Sequence, residues 1–138
     1  MRHLWRALSG ASAVTDPKSD DPRLRGRTYA VPFEGVWQAA RGLAAGQLRG
    51  WRVVEADDNE GVILARVARL GGRTPDEIRI RITLDQNGQT RVDAFARAPG
   101  ARSDLGRSAR RLGSFFRRLD RALSSAGSRA TPPPRVVA

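Results

Sequence analysis

The stretch that decides the fold is SDLGRSARRLGSFFRRLDRAL, residues 103–123. Its apolar residues recur at spacings of four, three, four, three and four, which is the period of one helix face. These residues are Leu105, Ala109, Leu112, Phe116, Leu119 and Leu123. The arginines on the opposite side are Arg107, Arg110, Arg111, Arg117, Arg118 and Arg121. The stretch therefore predicts one long amphipathic helix with an apolar face against the rest of the chain and an arginine face pointing outward.

The composition argues against most kinds of enzyme. The chain has 138 residues, of which 40% are hydrophobic, and this suits one domain with a core. There is no cysteine and the one histidine is His3, so a Cys/His or Ser/His nucleophile pair and a thiolate zinc site are not expected. The acidic residues fall mostly in turns, at strand edges or at a helix start. We therefore expect no enzymatic activity, no cofactor and no metal site.

The charge is strongly positive and comes almost entirely from arginine. The formal net charge is +11, and Lys18 is the one lysine. A GC-rich genome produces such a bias through its codons, yet the resulting surface still attracts phosphate, nucleic acid and anionic lipid. No run of about 18 apolar residues exists, and Arg6 interrupts the N-terminal apolar patch that a signal peptide needs. We expect a bacterial protein of the cytoplasm, with peripheral membrane contact as the alternative.

The segments before the helix predict one sheet. Helical spacing of apolar residues covers residues 33–48, and strand patterns cover residues 51–56, 62–69, 77–84 and 90–96. This order predicts an α+β fold: a helix, a four-stranded antiparallel meander and the long C-terminal helix, with both helices on one face of the sheet. Residues 1–27 are expected to form a flexible tether, residues 28–123 the single domain, and residues 124–138 a disordered tail.

The last hairpin can be predicted in register. Ile80 and Ile82 alternate with arginine, so they belong to the core face of their strand. A two-residue Asn-Gly turn would place Arg91 opposite Leu84 and Asp93 opposite Ile82, so charges would face the apolar side of the strand. A three-residue loop, residues 86–88, instead pairs Ile82 with Val92 and Ile80 with Ala94, and gives Gly88 the left-handed conformation that the turn needs. The three-residue loop is the prediction.

The C-terminal part resembles a known family. The residues that carry the likeness are Val92, Asp93, Ser103, Asp104, Leu105, Gly106, Arg110 and Arg111. Their order is similar to that of the domain of unknown function 1499 family, whose members occur in bacteria and plastids. The resemblance implies a fold and no activity. The chain departs from the pattern at Ser108, where the family has Asn, and at Pro75-Asp76, where it has a pair of acids. Asp104 is expected to begin the helix, with an arginine-holding role as the alternative.

The arginines are the remaining candidates for a site. On the non-core face of the last hairpin these are Arg79, Arg81, Arg91 and Arg97, and on the helix Arg107, Arg110, Arg111, Arg117, Arg118 and Arg121. Phe95 is the one aromatic residue among the strand arginines, so base reading by stacking is not expected. Two functions remain open. The first is a small accessory or binding domain for a protein or apolar ligand. The alternative is a sequence-nonspecific binder of nucleic acid, another anionic polymer or an anionic membrane surface.

Overall fold

The chain folds into an α+β domain in which two helices and an antiparallel sheet share one core. The computed structural model describes residues 11–16, 18–69, 71, 73–98 and 105–129. The strands are β1 (Ala11–Val14), β2 (Arg27–Tyr29), β3 (Trp51–Asp57), β4 (Val62–Val67), β5 (Asp76–Leu84) and β6 (Thr90–Ala98). The helices are α1 (Phe33–Gly42), which continues into a wider turn at Leu43–Gln47, and α2 (Leu105–Arg129). A short 3-10 turn, Pro22–Leu24, precedes β2.

The sheet is antiparallel and its strands follow the order β1-β6-β5-β4-β3. β2 also pairs with β6, on the same edge as β1. The isoleucines at even positions of β5, Ile78, Ile80 and Ile82, point into the core and are at most 1% exposed. The residues at odd positions point to the opposite side, which we call the outer face. The predicted meander is therefore present as β3 to β6, but the predicted count of four strands is too low.

The two additional strands lie at the N-terminal end. β1 and the first residue of β2 fall within residues 1–27, the segment predicted as a tether. They were missed because each is short and gains its partner only from β6, far along the chain. The helix α2 also continues past residue 123 to Arg129. The division of the chain at residues 28 and 123 stays a prediction, and residues 1–10 and 130–138 lie outside the described part.

The register predicted for the last hairpin is confirmed. Ile82 pairs with Val92, and Ile80 pairs with Ala94. The N–H of Asp85 donates to the carbonyl of Gln89 at 2.8 Å, which leaves residues 86–88 as the loop. Gly88 has a φ of 77°, the left-handed conformation that the loop requires. Side-chain parity alone was therefore sufficient to choose between the two turns.

The apolar stripe of α2 packs into the core, but it is wider than its spacing predicted. Leu112, Phe116 and Leu119 are fully buried, and so is Phe115, which is not one of the residues of the predicted stripe. The Phe115 ring stacks on Trp51 at 5.9 Å between centroids and meets Phe116 edge-on at 5.3 Å. The rings of Phe115 and Phe116 are therefore both part of the core. In the described part of the chain, no helix is both long and apolar enough to cross a membrane.

Candidate functional site

The candidate site is built on Asp76, a buried carboxylate at the start of β5. Asp76 has the same strand parity as Ile78, so its side chain points to the helix side of the sheet. The residue is 2% exposed. A buried carboxylate is costly unless cations and hydrogen-bond donors surround it. The partners of Asp76 therefore determine what this end of the sheet can do.

Two arginines of α2 supply those partners. Arg107 holds Asp76 through two parallel hydrogen bonds, with Nε donating to Oδ2 at 2.9 Å and Nη2 donating to Oδ1 at 3.1 Å. Nε of Arg111 donates to Oδ2 at 3.0 Å. The two arginines are four positions apart, so they project from successive turns of one helix face. The Asp76 side chain is only 3% exposed, and its hydrogen bonds hold both guanidinium groups in place.

This arrangement corrects the outward assignment of the arginine stripe. The side chains of Arg107 and Arg111 are 18% and 25% exposed, since their guanidinium groups lie against Asp76. Arg110, Arg117 and Arg121 are exposed, as the stripe predicted. The stripe therefore has two parts: a pair ordered by a buried carboxylate and a group that faces solvent.

The other half of α2 is fixed by a second polar cluster. The hydroxyl of Tyr29 donates to Oδ1 of Asp120 at 2.6 Å, and Nε of Arg27 donates to Oδ2 at 3.3 Å. Burial of Tyr29, together with its hydrogen bond to the Asp120 carboxylate, raises the pKa of the tyrosine well above its usual value. The Arg27 guanidinium also lies 5.0 Å from the ring centre of Phe116. The rotation of α2 about its axis is therefore set at two places, near its start and at Asp120.

Two cavities lie on either side of the Arg107–Arg111 pair. The first, which we call the helix cavity, has a volume of about 430 Å³. It lies between α2 and the turn that leads into β3, and its lining residues are Leu48, Arg49, Trp51, Arg107, Arg110, Arg111, Ser114 and Arg118. Leu48 and Trp51 are 5% and 7% exposed, so they form a floor and offer little apolar surface.

The second cavity, which we call the loop cavity, has a volume of about 470 Å³. It is formed with the connection between β4 and β5, and its lining residues are Ala68, Arg69, Gly71, Arg73, Arg107 and Arg111. Arg107 and Arg111 belong to both linings, so the cavities are neighbours. We call the two together the arginine groove.

Every charged residue in the described lining of the groove is an arginine. None of the described lining residues is acidic. Within the described part of the chain, five of its arginines form no ion pair: Arg49, Arg69, Arg73, Arg110 and Arg118. Guanidinium groups match phosphate and carboxylate through paired N–H donors. The groove can therefore hold anions, with Arg107 and Arg111 already positioned by Asp76.

The strand arginines of the predicted site lie elsewhere. Arg79, Arg81, Arg91 and Arg97 are on the outer face, the side of the sheet opposite the helices. Arg97 pairs with Glu77 at 3.3 Å and Arg91 with Asp93 at 2.8 Å, so part of this charge is neutralised. Phe95 on the same face is 3% exposed, which leaves no open ring for a base. The structure therefore does not join the strand arginines and the helix arginines into one surface.

Sequence reasoning missed four residues of the site: Asp76, Arg49, Arg69 and Arg73. Asp76 carried a signal, because an acid in phase with three isoleucines of one strand must be buried and paired. The three arginines gave none, since they lie in connections and reach the groove only through the fold. Of the family-motif residues, Ser103 and Asp104 lie outside the described part, and Gly106 is exposed near the helix start.

Neither a family model nor a curated protein matches this chain. The resemblance to the domain of unknown function 1499 family therefore stays a prediction. Among the described residues, no three acidic or histidine side chains come close enough together to hold a metal ion. The arginine groove is thus the feature from which a function has to be argued.

Proposed function

We propose that this chain is a small non-enzymatic binding domain that holds an anionic polymer in the arginine groove without reading its sequence. One observation carries the proposal: a buried carboxylate, Asp76, fixes two arginines at the centre of a groove whose described lining contains no acid. Arginines that are ordered before a ligand arrives lose less conformational entropy on binding. A basic surface produced by codon bias alone would not require a buried carboxylate to order it.

The position of the groove favours a narrow chain over a flat surface. The groove lies between α2, the start of β3 and the connection before β5, and the helix cavity is more enclosed than the loop cavity. The exposed arginines Arg117 and Arg121 of α2 line neither cavity, so a flat anionic surface would also contact arginines outside the groove. The polymer is bound through its charged groups, because Trp51 and Phe95 are buried and offer no surface for stacking.

The same proposal accommodates the family resemblance. A divergent member of the domain of unknown function 1499 family would use this groove for binding and would need no catalytic residue. The first function considered from the sequence, a groove for a protein or apolar ligand, has less support. The lining is mostly arginine, and its two large apolar residues, Leu48 and Trp51, are buried.

The test compares two triple variants that lose equal charge. One carries Arg49→Gln, Arg110→Gln and Arg118→Gln in the helix cavity. The control carries Arg52→Gln, Arg66→Gln and Arg81→Gln on the outer face. Binding of a labelled single-stranded oligonucleotide of mixed sequence is measured by fluorescence anisotropy across a series of salt concentrations.

We expect the helix-cavity variant to bind more weakly and to lose about 2 units of salt slope, from ~0.7 per contact. The outer-face control should keep its slope within experimental error. Equal losses in the two variants would show that only net charge matters and would reject the groove. Tighter binding to vesicles of anionic phospholipid than to the oligonucleotide would favour a membrane surface instead.

A further inference from the structure

The groove has two compartments with a shared wall. Arg107 and Arg111 line both the helix cavity and the loop cavity, and Asp76 holds them from below. Each compartment then adds arginines of its own: the helix cavity has Arg49, Arg110 and Arg118, and the loop cavity has Arg69 and Arg73. An anion in one compartment leaves the charges of the other uncompensated. The arrangement therefore suits a ligand with several anionic groups.

We infer that the groove takes a linear phosphate chain, which crosses Arg107 and Arg111 and places phosphates in both cavities. This inference rests on the proposed function and specifies its ligand. Along α2, Arg107 and Arg118 are about 16 Å apart at the rise of an α-helix. Several successive phosphates are needed to follow that distance, so orthophosphate can occupy only part of the groove.

Phosphate fits better than the carboxylates of an acidic peptide. An extended peptide directs successive side chains to opposite sides, so half of its carboxylates would point away from the groove. A phosphate chain carries a negative charge at every link, and all of its links can contact the guanidinium groups. The hydroxyl of Ser114 in the helix cavity is a further donor for phosphate oxygen. Both inorganic polyphosphate and a nucleic-acid backbone present this chemistry.

The experiment measures affinity as a function of chain length. The full chain is titrated by calorimetry with orthophosphate, pyrophosphate, tripolyphosphate and long-chain polyphosphate at constant ionic strength. The same titrations are done with the helix-cavity triple variant, with the loop-cavity variant Arg69→Gln/Arg73→Gln and with the outer-face control. A single-stranded oligonucleotide and a poly-glutamate peptide of equal charge are added as further ligands.

If the phosphate chain crosses both cavities, either groove variant should bind it more weakly. The affinity for long-chain polyphosphate should fall by roughly tenfold. Affinity should rise with chain length until the groove is filled, and the outer-face control should change it little. Long-chain polyphosphate and the oligonucleotide are then compared with each other. The one that binds more tightly at equal charge is the better match to the groove. Circular dichroism melting of each variant establishes that the protein remains folded.

Three results would overturn the inference. Loss of binding in the helix-cavity variant with none in the loop-cavity variant would confine the ligand to one compartment and leave the proposed function standing. Tighter binding of poly-glutamate than of the phosphate chains would assign an acidic peptide to the groove. If no polyanion bound the original chain more tightly than it bound the helix-cavity variant, the proposed function would be rejected as well.

Discussion

Replacement of Asp76 by asparagine separates an ordered binding groove from a merely basic surface. Asp76→Asn keeps the size of the side chain and one acceptor oxygen. It removes the negative charge that faces Arg107 and Arg111, and it places an NH₂ group where one carboxylate oxygen accepted from an arginine N–H. The net charge of the protein rises by one. A surface that binds by charge alone should therefore bind polyanions more tightly after this change.

The effect on stability follows from the three hydrogen bonds. At least one charge-assisted hydrogen bond is lost, which costs about 1.5–3 kcal/mol. Breaking a fully buried ion pair costs about 3–5 kcal/mol. The arginines here are 18% and 25% exposed and regain some hydration, so we expect a loss of about 2–4 kcal/mol in the free energy of unfolding. The free energy of unfolding of a typical domain is about 5–15 kcal/mol, so the variant should still fold.

The assay pairs urea unfolding with titration of long-chain polyphosphate. We expect Asp76→Asn to bind the polymer at least about threefold more weakly, because the two central arginines are no longer held in place. The control is Asp58→Asn in the exposed turn between β3 and β4, which raises the charge equally and touches neither cavity. It should bind slightly more tightly than the original chain. Tighter binding by Asp76→Asn, or a stability change below about 0.5 kcal/mol, would refute the role given to this carboxylate.

Three further tests, with five substitutions, concern the fold that supports the groove. Phe115→Ala and Phe116→Ala should each cost about 3–5 kcal/mol in urea unfolding, because both rings are fully buried; a much smaller loss for Phe115 would mean that α2 is rotated. Tyr29→Phe should cost about 1.5 kcal/mol or more at neutral pH, for the loss of a hydrogen bond to a carboxylate. Since the pKa of Tyr29 is raised in the folded state, the unfolded chain loses its proton first, so stability should fall as pH rises above about 10 in the original chain and not in the variant. Gly61→Ala should cost clearly more than Gly88→Ala, as both have positive φ but only at Gly61 would a Cβ collide with the backbone of β5; equal melting temperatures for the two variants would contradict this packing.

The sequence was most informative where one strand or one helix carried the pattern. The alternation in residues 77–84 predicted the core face of β5, and parity across the loop predicted the pairing of Ile82 with Val92. Asp76 continues the same alternation. It is buried because its position in the alternation places it on the core face of β5. A buried acid in an arginine-rich chain predicts a guanidinium partner, although not which arginine it will be.

The rest of the site depends on contacts between distant segments. Arg49 follows α1, Arg73 lies between β4 and β5, and Arg118 lies on α2, so only the fold brings them to one groove. β1 and β2 are likewise stabilised by pairing with β6 rather than by any local pattern. Such pairing is not visible in local sequence patterns, which is why the sequence predicted four strands and a helix arginine stripe that points wholly outward.

The most direct measurement is NMR of the arginine Nε–H groups during a titration with long-chain polyphosphate. Before the ligand is added, we expect slowly exchanging Nε–H signals from Arg107 and Arg111, since both donate to the buried carboxylate of Asp76. On addition of the polymer, the signals of the arginines in both cavities should shift and sharpen together, whereas those of the outer-face control residues stay in place. Equal shifts of the groove and outer-face signals, or no protected Nε–H signal before the titration, would contradict an anion-binding groove ordered by Asp76.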